Sequence, residues 1–256
     1  MVRGLYTAST GMNVQTKKMD IISNDLANVN TTGYKKDTAV VGSFPQILAS
    51  RLDDTQNHIP NNGEIGKMSL GAKVDEVYTH FVQGSVIKTE GTVDVAIQGD
   101  GFFAVQSPAG VAYTRDGNFS INQAGQIVTK EGYYVLTQSG TPLELGEDFL
   151  STAGEVLIKE NGGVYRGSQY IDNMALVSFA DKKSLTKLDD NLYQASGQGT
   201  PFTGSVIQGY LEASNVNPVT AMVDMITVSR AYEANQKVIQ THDSLLGKAV
   251  NEIGRV

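Results

Sequence analysis

The chain has 256 residues, with 27 glycines, six prolines, no cysteine and no tryptophan, and its formal net charge is −7 at pH 7. The lack of cysteine excludes disulfides, thiolate metal sites and cysteine nucleophiles. Residues 1–36 carry five basic and two acidic side chains, a basic region too small for a nucleic-acid footprint. No segment has the roughly 20 apolar residues of a membrane span, and the first residues lack a signal-peptide core. These features predict a globular protein that is cytoplasmic or exported without a cleaved signal.

The first predicted element is a long amphipathic helix over residues 1–36. Its apolar positions alternate in steps of three and four, the spacing of a heptad seam: Leu5, Ala8, Met12, Gln15, Met19, Ile22, Leu26 and Val29. The helix runs into the asparagine-rich stretch SNDLANVNTTGYK, residues 23–35. On its own, the segment 28–33 is the expected end of the helix, with Gly33 in the left-handed conformation of a C-terminal cap.

Residues 37–73 show neither a helical nor a strand period, and the piece RLDDTQNHIPNNGEIG within them is polar and rich in turn formers. This composition predicts an extended connector or a mobile loop.

Residues 74–205 are predicted to form an all-β domain. Runs at 93–97, 101–105, 126–129 and 133–136 are short and rich in β-branched and aromatic side chains. Between such runs lie glycines able to adopt the positive φ of hairpin turns. They are Gly110, Gly117, Gly125, Gly132 and Gly140.

Residues 206–256 are predicted to contain a second long helix, starting at Asn217 as N-cap and Pro218 as first helical residue. Its seam comprises Met225, Val228, Tyr232, Asn235, Ile239, His242, Leu246, Ala249 and Ile253, flanked by Ala231, Ala234, Val238, Thr241 and Leu245. The predicted fold class is α+β, with the two terminal helices forming a coiled-coil-like pair and the all-β domain inserted between them. The alternative is an ordinary antiparallel pair that covers a core.

Neither catalysis nor metal binding is expected. His58, His80 and His242 have no second ligand at helical i+4 spacing, and Asp53–Asp54 and Asp189–Asp190 are typical of solvated turns. Arg115 and Asp116 are candidates for a local ion pair of little energetic weight if exposed. We therefore predict no catalytic residue, no bound metal and no cofactor.

Four ordered motifs span the whole chain: NDLANVNTTGYK, DVAIQGDGFFAV, YTRDGNFSINQAGQIVT and GYLEASNVNPVTAMVDMITVSRAYEANQKVIQTHDSLL. Together they resemble the axial proteins of the bacterial flagellum, specifically the rod proteins of the basal body. That family commonly has asparagine where this chain has Asp25. Hook proteins share the terminal motifs but carry an additional outer domain, for which this chain has no room. The length and the complete YTRDG motif are most similar to a distal-rod subunit, with the proximal-rod paralogue close behind.

The resemblance implies a structural subunit, not an enzyme, that polymerises with itself into a hollow drive shaft in the basal body. Implied partners are other rod and hook proteins and the flagellar export apparatus, without nucleic acid or membrane insertion. The alternatives are a proximal-rod or hook-type axial paralogue, or a secreted carbohydrate-binding or hydrolytic β-domain protein. Implied subunit-assembly residues are Leu5, Met12, Met19, Ile22, Asn24, Leu26, Asn28, Tyr232, Asn235, Ile239, Leu245 and Leu246. Family-motif residues are Gly33, Asp100, Gly101, Phe102, Phe103, Tyr113, Arg115, Gly117, Asn215 and Asn217.

Overall fold

The structure is a computed structural model that describes residues 2–50, 55–56, 59–60, 64–146 and 156–253. An N-terminal helix, a central β-rich region and a C-terminal helix confirm the predicted α+β class. The chain divides into two compact units. Unit 1 comprises Met1–Leu26, Asp37–Thr79 and Asn217–Val256, and unit 2 comprises Ala27–Lys36 and His80–Val216. Asp53, Asp54 and His58, discussed above as weak candidates, lie outside the described residues.

The two long helices are α1, Val2–Ala27, and α2, Pro218–Lys248, which continues into a π-helical turn at Ala249–Ile253. The start of α2 is fixed as predicted, because the Asn217 side chain accepts hydrogen bonds from the backbone N–H groups of Val219 at 3.0 Å and Thr220 at 3.2 Å. The end of α1 differs from the prediction. Gly33 does have a left-handed φ of 66°, but it lies in a separate turn beyond the last helical residue, Ala27.

The described residues of unit 1 also include six strands, where the sequence predicted an extended connector. The strands are β1 (Asp37–Ser43), β2 (Ile47–Ser50), β3 (Thr55–Gln56), β4 (Ile59–Pro60), β5 (Glu64–Met68) and β6 (Ala72–Thr79). They pair antiparallel as β1 with β6, β2 with β5 and β3 with β4. The sequence of this segment has no clear strand period because a two-stranded ribbon has little buried surface. Val40, Val41 and Val77 all remain exposed.

In its described residues, 27–36, 80–146 and 156–216, unit 2 has 16 short strands and a 3-10 helix at Lys182–Ser184. The strands are β7 (Val86–Lys88), β8 (Val95–Gln98), β9 (Phe102–Ser107), β10 (Gly110–Thr114), β11 (Phe119–Ile121), β12 (Ile127–Thr129), β13 (Tyr134–Val135), β14 (Val156–Ile158), β15 (Gly163–Arg166), β16 (Gln169–Asn173), β17 (Leu176–Ser178), β18 (Leu185–Lys187), β19 (Leu192–Ala195), β20 (Thr200–Pro201), β21 (Ser205–Gln208) and β22 (Tyr210–Glu212). Of the five turn glycines predicted to have positive φ, all but Gly117 do.

The largest sheet of unit 2 runs β11-β12-β13-β9-β10-β19-β18, with β17 and β20 attached beside β9. Strands β14, β15 and β16 form a separate antiparallel sheet, and the pairs β21-β8 and β22-β7 join the end of the unit to its beginning. Strands β6 and β21 therefore run across the expected boundaries at residues 73 and 205.

The core of unit 2 has an aliphatic part and an aromatic part. The aliphatic part includes Val95, Ile97, Val105, Ile127 and Val135, with Phe103 packed edge-to-face on Phe119. The aromatic part comprises Phe102, Phe179, Leu185 and Tyr193, with Phe81 and Tyr113 packed against it. Burial of these side chains holds the β-region together.

Candidate functional site

Three of the sequence motifs meet inside unit 2. The segment 27–36 after α1 contacts the YTRDG stretch at 113–117 and the GYLEASN stretch at 209–215. The bonds that join them are Thr32 Oγ1 to Asp116 Oδ1 at 2.6 Å, Gly33 N–H to the Glu212 carbonyl at 2.7 Å, and Lys36 N–H to Asn215 Oδ1 at 2.7 Å. We call the converging residues the motif junction. They are Thr32, Gly33, Lys35, Lys36, Arg115, Asp116, Glu212 and Asn215.

Lys35 and Glu212 form a buried ion pair at the centre of the motif junction. The Lys35 ammonium donates to Glu212 Oε1 and, at 2.8 Å, to the carbonyl of Val82. The backbone N–H of Gly84 also donates to Glu212 Oε1, at 2.9 Å. Burial lowers the pKa of Lys35 below its ordinary value, and the attraction of Glu212 opposes that shift. A charge buried this way is stable only while its partners remain in place.

Arg115 supplies a second cation to the same carboxylate. Its Nε lies 3.5 Å from Glu212 Oε2, its Nη2 donates to the carbonyl of Gly99 at 2.8 Å, and its side chain is 3% exposed. Burial lowers the pKa of Arg115, again against the attraction of Glu212. The guanidinium also lies 5.8 Å from the ring centre of Phe102. Two buried cations, Lys35 and Arg115, therefore share one carboxylate, and Glu212 provides the negative charge for both.

Gly33 occupies a position that no other residue fits well. Its φ of 66° is left-handed, and a Cβ placed on it would lie 2.5 Å from both the carbonyl carbon of Arg115 and the amide nitrogen of Asp116. These are backbone atoms that cannot move aside easily. The glycine of the TTGYK motif therefore allows two backbone segments of unit 2 to approach each other.

The expected ion pair between Arg115 and Asp116 is wrong, because the two neighbours point to different partners. Arg115 faces Glu212, whereas Asp116 Oδ1 accepts hydrogen bonds from Thr32 Oγ1 and from the N–H of Asn118. Burial raises the pKa of Asp116 above its ordinary value of 3.8, and these hydrogen bonds oppose the shift. Asp116 thus binds the segment after α1 and does not neutralise Arg115.

Tyr34 and Thr32, on either side of Gly33, also bind other residues of unit 2. Tyr34 is buried, and the ammonium of Lys187 lies 4.0 Å from its ring centre while donating to the carbonyl of Lys35. Asn191 donates through its side-chain amide to the carbonyl of Thr32 at 2.9 Å. Thr32, Gly33, Tyr34 and Lys35 of the TTGYK motif are therefore each bound to other parts of unit 2.

The remaining motif residues lie outside the motif junction. Asp100 forms an exposed ion pair with Lys182 at 2.6 Å. Phe102 and Phe103 enter the aromatic and aliphatic parts of the core, and Tyr113 packs on Phe179 at 4.9 Å between ring centres. The other three are glycines or caps: Gly101 lies against the ring of Phe202, Gly117 against the carbonyl of Val95, and Asn217 caps α2.

Sequence reasoning did not single out Lys35, Glu212, Thr32 or Asp116 as site residues, although each stands in or beside a quoted motif. A lysine and a glutamate 177 positions apart leave no local pattern. The signal that could have been used is that Lys35 and Glu212 lie within motifs quoted for the family resemblance. A charged side chain in such a motif is a candidate for a structural role inside the fold.

The helices carry the predicted subunit-assembly residues. On α1, Leu5, Met12, Met19, Ile22 and Leu26 are half-buried, as is Asn28 just after the helix, while Asn24 is exposed. On α2, Ala221 and the seam residue Val228 are buried, and the seam residues Met225, Asn235, Ile239, His242 and Leu246 are half-buried, whereas Tyr232 and Leu245 are exposed. The heptad spacing thus marks the inward face of α2.

A second apolar stripe at the start of α2 lies on the outer face. Val219, Met222, Val223 and Ile226 follow helical i, i+3, i+4 and i+7 spacing, and each exposes more than half of its surface, from 52% to 69%. Val238, Leu245 and Val250 further along the chain are also exposed. Contiguous apolar surface of this kind is typical of a contact site.

Within unit 1, two glycines of α1 face polar side chains of α2. A Cβ on Gly4 would lie 2.6 Å from His242 Nε2, and a Cβ on Gly11 would lie 3.1 Å from Asn235 Nδ2. At these two points a glycine of one helix faces a side chain of the other, in antiparallel order. The described part of the chain holds no group of three or more side chains that could bind a metal ion. Neither helix, over its described residues, has the length and apolar character needed to cross a bilayer.

Comparison with known proteins places these features in one class, the axial proteins of the flagellar hook and basal body. Three family models match in order: "Flagella basal body rod protein" at residues 5–35, "Flagellar hook protein FlgE/F/G D1 domain" at 96–166, and "Flagellar basal body rod FlgEFG protein C-terminal" at 207–252. The first and last contain the helices, and all three contain part of the motif junction.

Full-length relatives narrow this class. The chain is 38% identical to the flagellar basal-body rod protein FlgG of Buchnera aphidicola subsp. Schizaphis graminum, over 97% of this chain and 98% of the relative. It is 36% identical to FlgG of Caulobacter vibrioides, over 96% and 97% of the two chains. It is 30% identical to the flagellar hook-basal body complex protein FlhO of Bacillus subtilis, over the whole of both. The chain belongs to the flagellar basal-body rod protein family.

Proposed function

We propose that this protein is a structural subunit of the distal part of the flagellar rod, which polymerises into a hollow shaft that transmits torque from motor to hook. The proposal rests on the family membership and on identity to FlgG proteins, which exceeds that to FlhO. A proximal-rod or hook-type role is less favoured. A secreted carbohydrate-binding or hydrolytic protein is not favoured, because the matches extend over the whole chain, helices included.

The structural observation that supports assembly with neighbouring subunits is the exposed apolar stripe of α2. Val219, Met222, Val223 and Ile226 lie on one helix face and are more than half exposed. A monomer gains nothing from holding four such side chains in water, whereas a polymer removes them from water at every repeat. We infer that the stripe contacts a neighbouring subunit.

The inner faces of the helices have a different role in this proposal. The seam of α2 and the glycines of α1 form a coiled-coil-like antiparallel pair within one subunit, while the outer stripe serves assembly. The predicted assembly residues then divide into two groups. Asn235, Ile239 and Leu246 support the pair, and Leu245 and Tyr232 lie nearer the outer surface.

The proposed function is tested by placing a charge in the stripe. Ile226→Asp should abolish polymerisation and swimming while leaving the thermal unfolding of the monomer unchanged, because a buried carboxylate is costly only in the polymer. Gln240→Asp adds the same charge at an exposed polar position of α2 and serves as the control. Normal rods containing Ile226→Asp, observed by electron microscopy, would sink the assembly role of the stripe.

We propose further that the protein reaches the basal body through the flagellar export apparatus and acts there without a cofactor or enzymatic activity. The support is the family membership, since the chain matches the basal-body rod protein model and full-length rod relatives. Removing the first thirty or so residues should leave the protein inside the cell, where fractionation detects it. Unchanged appearance in the basal-body fraction would contradict this route.

A further inference from the structure

The chain passes between its two units after residues 26, 36, 79 and 216. On the unit 2 side, three of these four places adjoin Lys36, His80 and Asn215. These residues are far apart in sequence, and each begins or ends a covalent link to unit 1. We call these three places the exits of the chain from unit 2. A group that binds Lys36, His80 and Asn215 together therefore fixes all three exits.

One side chain of unit 2 provides these bonds. Asn215 Oδ1 accepts a hydrogen bond from the N–H of Lys36 at 2.7 Å, and Asn215 Nδ2 donates to the carbonyls of His80 at 2.7 Å and Val82 at 3.0 Å. The carbonyl of Val82 also accepts from the buried Lys35 ammonium. The exits are therefore tied both to one another and to the buried charges of the motif junction.

Backbone hydrogen bonds complete the arrangement. The N–H of His80 donates to the carbonyl of Lys36 at 2.8 Å, and the N–H of Asn215 donates to the carbonyl of Tyr34 at 3.4 Å. These bonds join the same segments in pairs. The Asn215 side chain reaches two of the other segments at the same time, as the Lys35 side chain does through Val82 and Glu212.

The chemistry of the position requires a carboxamide. Its oxygen must accept from a backbone N–H while its nitrogen donates to two carbonyl oxygens. Aspartate can accept but cannot donate, and would place negative charge against the carbonyls of His80 and Val82. Alanine can do neither, and would leave partly buried backbone groups without these partners.

Unit 1 has its own bonds at the other side of the same links. Asp25 Oδ1 accepts from the N–H of Asp37 at 3.1 Å, and Asp37 Oδ1 accepts from Thr79 Oγ1 at 2.6 Å. Asp37 and Thr79 are also register partners at the open end of the β1-β6 ribbon. The chain is thus cross-linked by side chains just before and just after it changes unit.

We propose that Asn215 is a positioning residue that holds three exits of unit 2 together, so that force entering along the chain is shared among them. The inference rests on the proposed role as a torque-carrying subunit and adds to it the part of the molecule that bears the torque. If the three segments were not linked, a pulling force would extend them one after another. Because Asn215 links them, the force is distributed over all three.

The local part of the proposal is tested by hydrogen exchange on the full-length monomer. In Asn215→Ala, the Lys36 amide should exchange at least about fivefold faster, the change expected for the loss of one hydrogen bond. The control is Val135→Ala, a core variant that lowers global stability without touching these bonds. When rates are compared at equal global stability, equal Lys36 exchange in the two variants would overturn the proposal.

A second variant covers the case in which Asn215→Ala does not fold. Asn215→Asp keeps the acceptor for the Lys36 N–H but loses both donors. The Lys36 amide should then stay protected while the His80 amide, on a segment no longer held by Nδ2, exchanges faster. Equal protection of both amides in Asn215→Asp would also overturn the proposal.

The mechanical part is tested in cells that carry each variant as the only copy. Motors with Asn215→Ala should turn a small bead normally and lose rotation under sustained high load, whereas those with Val135→Ala should keep turning. Faster local exchange with unchanged endurance under load would overturn the mechanical role. A deletion strain that still swims would instead show that the proposed function itself is wrong.

Discussion

Lys35 and Glu212 form an ion pair in which neither side chain is accessible to solvent, although 177 positions separate them in sequence. Arg115 shares the same carboxylate, so the motif junction holds two buried cations against one anion. Removing the anion and removing a cation are therefore not equivalent changes. The first leaves unbalanced charge in a region of low dielectric constant, and the second leaves a balanced pair.

We expect Glu212→Gln to lower the free energy of unfolding by about 3–5 kcal/mol, the range measured when one partner of a buried pair is removed. Lys35→Met should cost clearly less, because Arg115 still pairs with Glu212 and Asn215 still donates to the carbonyl of Val82. Urea unfolding of the two variants measures which of them loses more free energy of unfolding. A larger loss in Lys35→Met would show that packing of the lysine, and not charge balance, dominates.

Gly33→Ala should be strongly destabilising, because it combines a left-handed φ with close approach to the backbone of Arg115 and Asp116. Gly167→Ala is the matched control, since Gly167 has a φ of 57° with no atom within 4 Å of the added Cβ. The control should cost about 1–2 kcal/mol from backbone strain alone. Thermal unfolding should give a much lower Tm for Gly33→Ala; equal values would mean that the turn simply shifts.

The stability of unit 2 should depend on the protonation of Asp116. Burial raises its pKa in the folded state above 3.8, so the folded protein binds this proton more tightly than the unfolded chain. The contribution to the free energy of unfolding is then fully present below 3.8 and is lost as pH rises through the folded-state pKa.

The variant Asp116→Asn has no carboxyl to ionise, so it does not lose stability in this pH range. Its amide oxygen can still accept hydrogen bonds from Thr32 and Asn118. The stability of this variant relative to the unmodified protein should rise with pH across that window. Urea unfolding at a series of pH values, with an NMR titration of the Asp116 carboxyl, measures both quantities. A constant or falling difference would contradict the assignment.

A fragment of residues 27–216 should unfold cooperatively, whereas a fragment of 74–205 should not. The longer fragment keeps Lys35 with Glu212 and the strand pairs β21-β8 and β22-β7. The shorter one cuts both pairs and leaves Arg115 buried without its carboxylate. Thermal unfolding followed by near-UV circular dichroism distinguishes them. An equally sharp transition in the shorter fragment would restore the boundaries predicted from sequence.

The sequence was a good guide wherever burial is periodic along the chain. The heptad spacing located the inward face of α2 at Val228, Ile239 and Leu246, and Asn217 marked its first turn. It failed for the β1-β6 ribbon because a ribbon with both faces largely exposed imposes no period on its side chains.

The motif junction was beyond local reasoning for a different reason. Arg115 and Asp116 are neighbours of opposite charge, and proximity in sequence suggested that they pair. They follow β10 in a bend, their side chains point to different parts of the fold, and each has a partner more than 80 positions away. Partners at such separations become visible only when the backbone is folded.

The two glycines of α1 leave space for two side chains of α2 at matching intervals along the helices. Gly4 and Gly11 are one heptad apart, as are His242 and Asn235, which face them. A slide of seven residues that brought His242 to Gly11 would bring Asn235 to the position of Lys18, where a long side chain already stands. In the described parts of the two helices, this alignment is therefore the one that places both polar side chains over glycine.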